Sequence, residues 1–106
     1  MSPNESPDEA AIRLKCNAPR VSLADLEANI VHTEFVKHVT HSGQVLRWCV
    51  LTTRSGFAVT GEPSASVSKE NDRQELGERY ARENAVRALW PLMAYALREK
   101  LTSENI

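Results

Sequence analysis

The sequence is poor in the residues that special folds and common catalytic motifs require. It has two cysteines, Cys16 and Cys49, in 106 residues. A small secreted domain stapled by disulfides carries more, so the chain reads as a protein of a reducing cytoplasm with unpaired thiols. Cys49 lies in an apolar run and reads as a buried thiol acting as a small hydrophobe; Cys16 falls in a loop. Four glycines build no phosphate-cradling loop, and neither a dinucleotide fingerprint nor a G-x-S-x-G elbow is present. No apolar run reaches the ~18 residues of a membrane span. The first seven residues lack the charged start and apolar middle of a signal peptide. Charge of one sign is missing too. Thirteen Lys and Arg nearly balance fourteen Asp and Glu, a formal net charge of −1. No global bias therefore directs the chain to nucleic acid or anionic lipid.

What is present is an ordinary globular composition, 42% hydrophobic, enough for one core and too short for two. Ser6-Pro7-Asp8-Glu9 is a helix start with a capping serine and a proline at the first helical position. The segment to Lys15 forms either two helical turns or a partly ordered extension. Ser22-Leu23-Ala24-Asp25 is a second cap, and Leu23, Leu26 and Ile30 recur at helical spacing, predicting a helix from Leu23 to about Val31. Three strands are predicted next, over Glu34–His41, Val45–Thr53 and Phe57–Gly61. Thr53-Arg54-Ser55-Gly56 forms the turn between the last two. Pro63–Ser66 is a loop.

Asn71, with Gln74 three residues on, predicts the cap of a long helix from Asp72 to about Lys100, kinked or broken at Pro91. Gly77, Ala81, Ala85 and Ala88 form a small-residue stripe that lets a sheet or helix approach closely. Asn84 lies beside that stripe, so its amide is expected to hold a strand or loop backbone group. The fold class is α+β: a three-stranded antiparallel meander packed by a short N-terminal helix and a long, proline-interrupted C-terminal helix. Residues 21–101 form the domain, 1–20 an extension and 102–106 a tail.

Few residues suggest chemistry. His38 and His41 are three apart, hence on opposite strand faces, and with His32 they complete no cluster of the zinc kind; no metal or cofactor is expected. No catalytic residue is assigned, and the chain reads as a non-enzyme. Arg79, Arg82 and Arg87 on the long helix are candidate ligand-binding residues, because guanidinium forks grip phosphate with two bonds. Against them, Glu75/Arg79, Glu78/Arg82 and Glu83/Arg87 are i,i+4 pairs that neutralise all three. Trp48, Trp90 and Tyr95 are candidate interface aromatics. The second strand carries Val45, Cys49 and Leu51 on one face and Leu46, Trp48 and Val50 on the other, so both faces should be covered. A homodimer is expected from this and from the small-residue stripe, with the N-terminal extension as the alternative cover.

Ile30-Val31, Cys49-Val50-Leu51-Thr52, Ser55-Gly56-Phe57, Thr60-Gly61-Glu62 and Ser64-Ala65 form one set of recurring motifs. Arg79-Tyr80-Ala81-Arg82-Glu83-Asn84-Ala85, Leu89-Trp90-Pro91-Leu92 and Tyr95-Ala96-Leu97 form another. Together they resemble a family of small tailed-phage and prophage proteins, the gene-product forty-nine and sixty-six type of a coliphage and a Shigella phage. The resemblance covers about Val21 to Leu101. In that family the position before the turn glycine is commonly asparagine; here it is Ser55. The resemblance implies a phage or prophage accessory protein acting in the bacterial cytoplasm and brings no catalytic residues. Arg82-Glu83-Asn84-Ala85 is also faintly similar to helical hairpins of phage proteins that sequester cyclic nucleotide signals. The expected function is non-enzymatic binding of a host protein, with sequestration of a small cyclic nucleotide, or an enzyme of unrecognised type, as alternatives.

Overall fold

The computed structural model describes residues 6–15 and 18–104. The expectations for the first five residues and for Cys16 lie outside the described residues. The elements in order are α1 (Pro7–Arg13), α2 (Leu23–Asn29), β1 (Ile30–Val39), β2 (Val45–Thr53), β3 (Ala58–Thr60), β4 (Ser64–Ala65) and α3 (Gln74–Glu104).

The caps explain the two short helices. The Ser6 hydroxyl accepts from the Glu9 N–H at 3.1 Å, with Pro7 in the first turn. Ser22 and Asp25 form a reciprocal capping box. Asp8 ties the two starts together: its carboxylate accepts from Arg20 Nη1 at 2.7 Å and from the Leu23 N–H at 2.8 Å. Both bonds hold the Asp8 carboxyl below its ordinary range. The second helix ends at Asn29, two residues short of the expected Val31, and β1 starts at once rather than at Glu34. β-Branched Ile30 and Val31 favour the extended chain. The Asn29 carbonyl is taken by the Arg54 N–H at 3.0 Å.

β2 is the centre of the sheet. β1 pairs antiparallel with its whole length, Val39 opposite Val45 and Ile30 opposite Thr53. The other edge of β2 is shared: β3 pairs with Val50–Thr52, and β4 pairs with Leu46 and Arg47. The predicted loop at Pro63–Ser66 thus contains a short strand, because Ser64 and Ala65 return to the ladder after a break at 61–63. The hairpin turn needs a positive φ at Gly56 alone, +86°. The Gly56 N–H bonds the Thr53 carbonyl at 2.9 Å. A three-residue loop of this kind demands the left-handed conformation only of its last residue, so serine at position 55 is no defect.

α3 lies on the β2 face that carries Arg47, Cys49, Leu51 and Thr53, all buried. The core is Leu26, Cys49, Leu51, Val59, Ala81, Ala85 and Leu89. The small-residue stripe faces this sheet. Ala81 and Ala85 are fully buried. A Cβ on Gly77 would come within 3.0 Å of Arg47 Nη1, and one on Gly61 would collide with the Asn84 carbonyl and lie 2.6 Å from the Ala85 nitrogen. The stripe, expected as a reason for dimerisation, is therefore used up within the chain. Asn84 does what its position suggests: Nδ2 donates to the Glu62 carbonyl at 3.0 Å, bridging the break between β3 and β4. Ser64 Oγ donates to the Gly77 carbonyl at 2.6 Å.

Arg47, which only interrupts an apolar face in the sequence, is a buried clamp. Its Nη1 and Nη2 donate to the Asp72 carboxylate at 2.5 and 3.2 Å. The pairing fixes the approach to α3. Asp72 is extended (ψ 122°), and Asn71 ends a single 3-10 turn, Lys69–Asn71, instead of capping the helix. α3 accordingly starts at Gln74 and not at Asp72. It runs 31 residues through Pro91 to Glu104 without a break. Proline forfeits one backbone bond there; Leu89, Trp90 and Met93 pack on the core on either side of it and hold the helix. Pro91 itself is exposed.

Within the single chain the second face of the sheet stays open. The domain is 18 Å thick in its short dimension, one helix layer on one sheet layer. Glu34, Val36, Ala58, Thr60 and Ala65 on the second face are exposed, and α1 is tied through Asp8 to the start of α2.

Two stability predictions follow from the packing. Gly61→Ala and Ala85→Leu each push the sheet off α3 and should cost about 1–3 kcal/mol, lowering Tm by several degrees in thermal unfolding followed by circular dichroism. Asp72 is held below the ordinary carboxylate value of 3.8 chiefly by the Arg47 hydrogen bonds. Its contribution is complete above that value and is lost as pH falls through the lower folded one. Denaturant titration of Asp72→Asn beside the parent should show a stability gap that is constant near neutrality and closes below pH 3.8.

Candidate functional site

Three surfaces hold the residues singled out in the sequence. The first is a groove between β1 and α3. α3 is centred over β2 and leaves the inner face of β1 partly bare, so Phe35 is 38% exposed. The groove has a volume of about 480 Å³ and is lined by Phe35, Val86, Arg79, Arg82 and four glutamates, 27, 75, 78 and 83. Arg79 and Arg82 thus share a cavity. Arg87 is not in its lining.

The arginines do not pair as the i,i+4 pattern predicts. Arg82 reaches across to α2, where Nη1 and Nη2 donate to the Glu27 carboxylate at 3.2 and 2.9 Å. That fork lowers the Glu27 carboxyl from its ordinary value and raises Arg82. Arg79 Nε lies 3.8 Å from Glu83, not Glu75. Arg87 Nη1 donates to Asn84 Oδ1 at 3.0 Å. At Arg82 a tertiary partner with the right geometry outcompetes a helical neighbour whose pairing is worth only about 0.3–0.5 kcal/mol, while Arg79 and Arg87 take other partners one turn away on α3. The net result is a groove with four carboxylates against two guanidiniums, a formal −2. Such a lining attracts a cation more readily than a phosphate.

The second surface is the open face of the sheet. Leu46, Trp48 and Val50 lie along β2 on that side and are half-buried. Val36 is directly opposite Trp48 on β1 and is 47% exposed. His32, Glu34 and His38 border this apolar strip along β1, and Thr52 and Thr60 border it elsewhere. His32 Nε2 is 3.4 Å from Glu34. The third surface is the far half of α3. Trp90 packs against the core, while Tyr95 is 68% exposed. The sheet separates Trp48 from Trp90 and Tyr95, so the three aromatics form no common patch.

The Cys49 thiol is free and buried, and burial pushes it above its ordinary value, which disfavours the thiolate a nucleophile needs. Among the described residues no cluster of three or more His, Cys, Asp or Glu is placed to hold a metal ion, and no helix is long and apolar enough to cross a membrane. Arg47 and its pairing with Asp72 escaped sequence reasoning; the only signal was a charged residue on the apolar side of a strand.

No curated protein and no solved structure matches the chain. The profile of one family matches residues 21–101. The match opens just before the Ser22 cap and closes in the last turns of α3. It takes in the whole sheet, the Gly61 approach, the Arg47 clamp and the β1–α3 groove, and leaves α1 outside. The chain therefore belongs to the phage protein (N4 Gp49/phage Sf6 gene 66) family.

Proposed function

We propose that this phage protein is a non-enzymatic binding module that acts in the cytoplasm of the bacterial host by docking on a host protein through the open face of its sheet. The observation that carries this reading is the strip of Val36, Leu46, Trp48 and Val50 on a face that no helix covers. A sheet face exposed to water normally alternates to polar residues. Here the polar residues stand at the border and the apolar ones at the centre, with a tryptophan in the middle. That is the arrangement of an interface, where a large aromatic anchor sits inside a polar rim. The partner this face fits presents an apolar surface with donors and acceptors around it for His32, Glu34, His38 and Thr60.

Sequestration of a cyclic nucleotide would use the other surface, the groove with Arg79 and Arg82. Its carboxylate excess and the commitment of Arg82 to Glu27 oppose an anionic ligand there.

Affinity capture from a host lysate with the parent and with Trp48→Glu tests the proposal. A host protein retained by the parent should be lost in Trp48→Glu. Binding of the purified pair should weaken at least about 30-fold, as for a buried aromatic anchor worth ~2 kcal/mol. Equal capture by both proteins would overturn the assignment of the face. Calorimetry with cyclic di- and trinucleotides is the counter-test. Heat of binding that disappears in Arg79→Ala would move the function to the groove. Arg79 suits this test because among the described residues its close charged partner is Glu83, and its loss leaves the Arg82–Glu27 fork in place.

A further inference from the structure

We propose that two copies of the chain pair antiparallel along their free β1 edges, about a two-fold axis at Val36, to make one continuous sheet. β1 is ten residues long and is paired on one side only among the described residues. A strand edge of that length offers a row of unpaired N–H and C=O groups, and natural proteins usually blunt such edges with proline, a bulge or charge. The opposite edge of this sheet is blunted, being made of two short strands with a break at Gly61–Pro63. β1 is blunted less: it carries Glu34 and Lys37, but it has no proline, its irregularity is confined to Ile30/His32, and Val31, Phe35, Val36 and Val39 along it are exposed.

Symmetry and charge select the register. A two-fold axis normal to the sheet keeps each side chain on its own face, so residues opposite each other across the new edge must belong to the same face. An axis at Glu34 sets two carboxylates opposite each other, and one at Lys37 sets two ammonium groups opposite. An axis at Phe35 leaves Glu34 facing valine and His32 facing histidine. An axis at Val36 places Glu34 opposite the second copy's His38, twice, with Val36 against Val36 between them. A carboxylate that faces an imidazole N–H can accept a hydrogen bond from it, whereas like charges in directly facing positions weaken a ladder.

Both faces of the joined sheet are then complementary. On the open face the order across the axis is Trp48, Val36, Val36, Trp48, because Val36 already faces Trp48 in each copy. On the helix face the second copy's Lys37 lies opposite Phe35, at the mouth of the groove whose lining carries a formal −2. This self-association is independent of any host protein, although it would place two docking faces side by side.

Light scattering and sedimentation of the purified chain at tens of micromolar should give twice the 11.8 kDa chain mass. Val36→Lys sets two like charges across the axis and should raise the dimer dissociation constant by about ten-fold or more. Its circular dichroism should stay unchanged, since Val36 is a surface residue. Val36→Cys in a Cys16→Ser background should form a covalent dimer on mild oxidation. Glu34→Lys should weaken the dimer, and Glu34→Lys with His38→Glu should restore it. A monomeric parent would overturn the proposal. So would a dimer that Val36→Lys leaves intact and Val36→Cys fails to cross-link, since that dimer would use another surface.

Discussion

The close seat of α3 on the sheet is the constraint from which the rest of the architecture follows. At Gly61 the sheet backbone approaches the helix backbone so nearly that no Cβ fits between them. Ala81 and Ala85 are buried completely in the same seam. Contact this tight leaves no room for a continuous outer strand, so the chain breaks between β3 and β4 at 61–63. The Glu62 carbonyl in the break is met from the helix by the Asn84 amide, and where the chain rejoins the sheet the Ser64 hydroxyl donates to the helix carbonyl of Gly77. Gly77 has a matching role at the other end of the seam, because its missing side chain is the space that Arg47 occupies. Removing a buried polar partner leaves an unmet donor or acceptor, so these contacts hold the helix in one register against the sheet.

One helix cannot cover four strands. Seated over β2, α3 covers the strands on the β3 and β4 side and leaves β1 overhanging. α2 covers only the end of β1 and is pinned there by the Glu27–Arg82 fork. The overhang creates the acidic groove beneath Phe35 and exposes the free edge. The opposite face of the sheet has no helix at all. These bare surfaces are consequences of a two-layer fold with a single long helix, and they contain the exposed apolar residues of the sheet.

Local signals were legible where the physics is local. The Ser6 and Ser22 caps, the limits of β2, the turn at Gly56 and the buried stripe of Ala81 and Ala85 stand in the sequence as capping, alternation, positive φ and helical spacing. Asn84 was legible for the same reason, since an amide beside a buried stripe must find a partner. The features that escaped depend on residues far apart in the chain. Asn71 and Gln74 spell a capping box, yet Arg47, 25 residues before Asp72, sets the conformation of the helix approach. Ser64 and Ala65 carry no strand signal of their own, because two residues show no period, and they are extended only because Leu46 and Arg47 offer them an edge. β1 was placed too late because the apolar spacing of α2 continues through Ile30, a residue that packs equally well on the core from a strand.

The arginines show how a helix can mislead when read alone. Three Glu–Arg pairs at i,i+4 describe an isolated helix in water, where each pair is worth a few tenths of a kilocalorie per mole. In the folded chain Arg82 meets a second helix and Arg87 meets an amide already fixed by a backbone carbonyl. Each new partner offers a better-held geometry than a flexible glutamate one turn away, so the helical pairing yields. The glutamates released from Arg82 and Arg87 do not disappear. They stay in or beside the groove and make acidic a surface that the sequence suggested for anions. The same substitution of tertiary for local pairing at Arg82 therefore secures α2 on the body of the fold and leaves the groove beside it acidic.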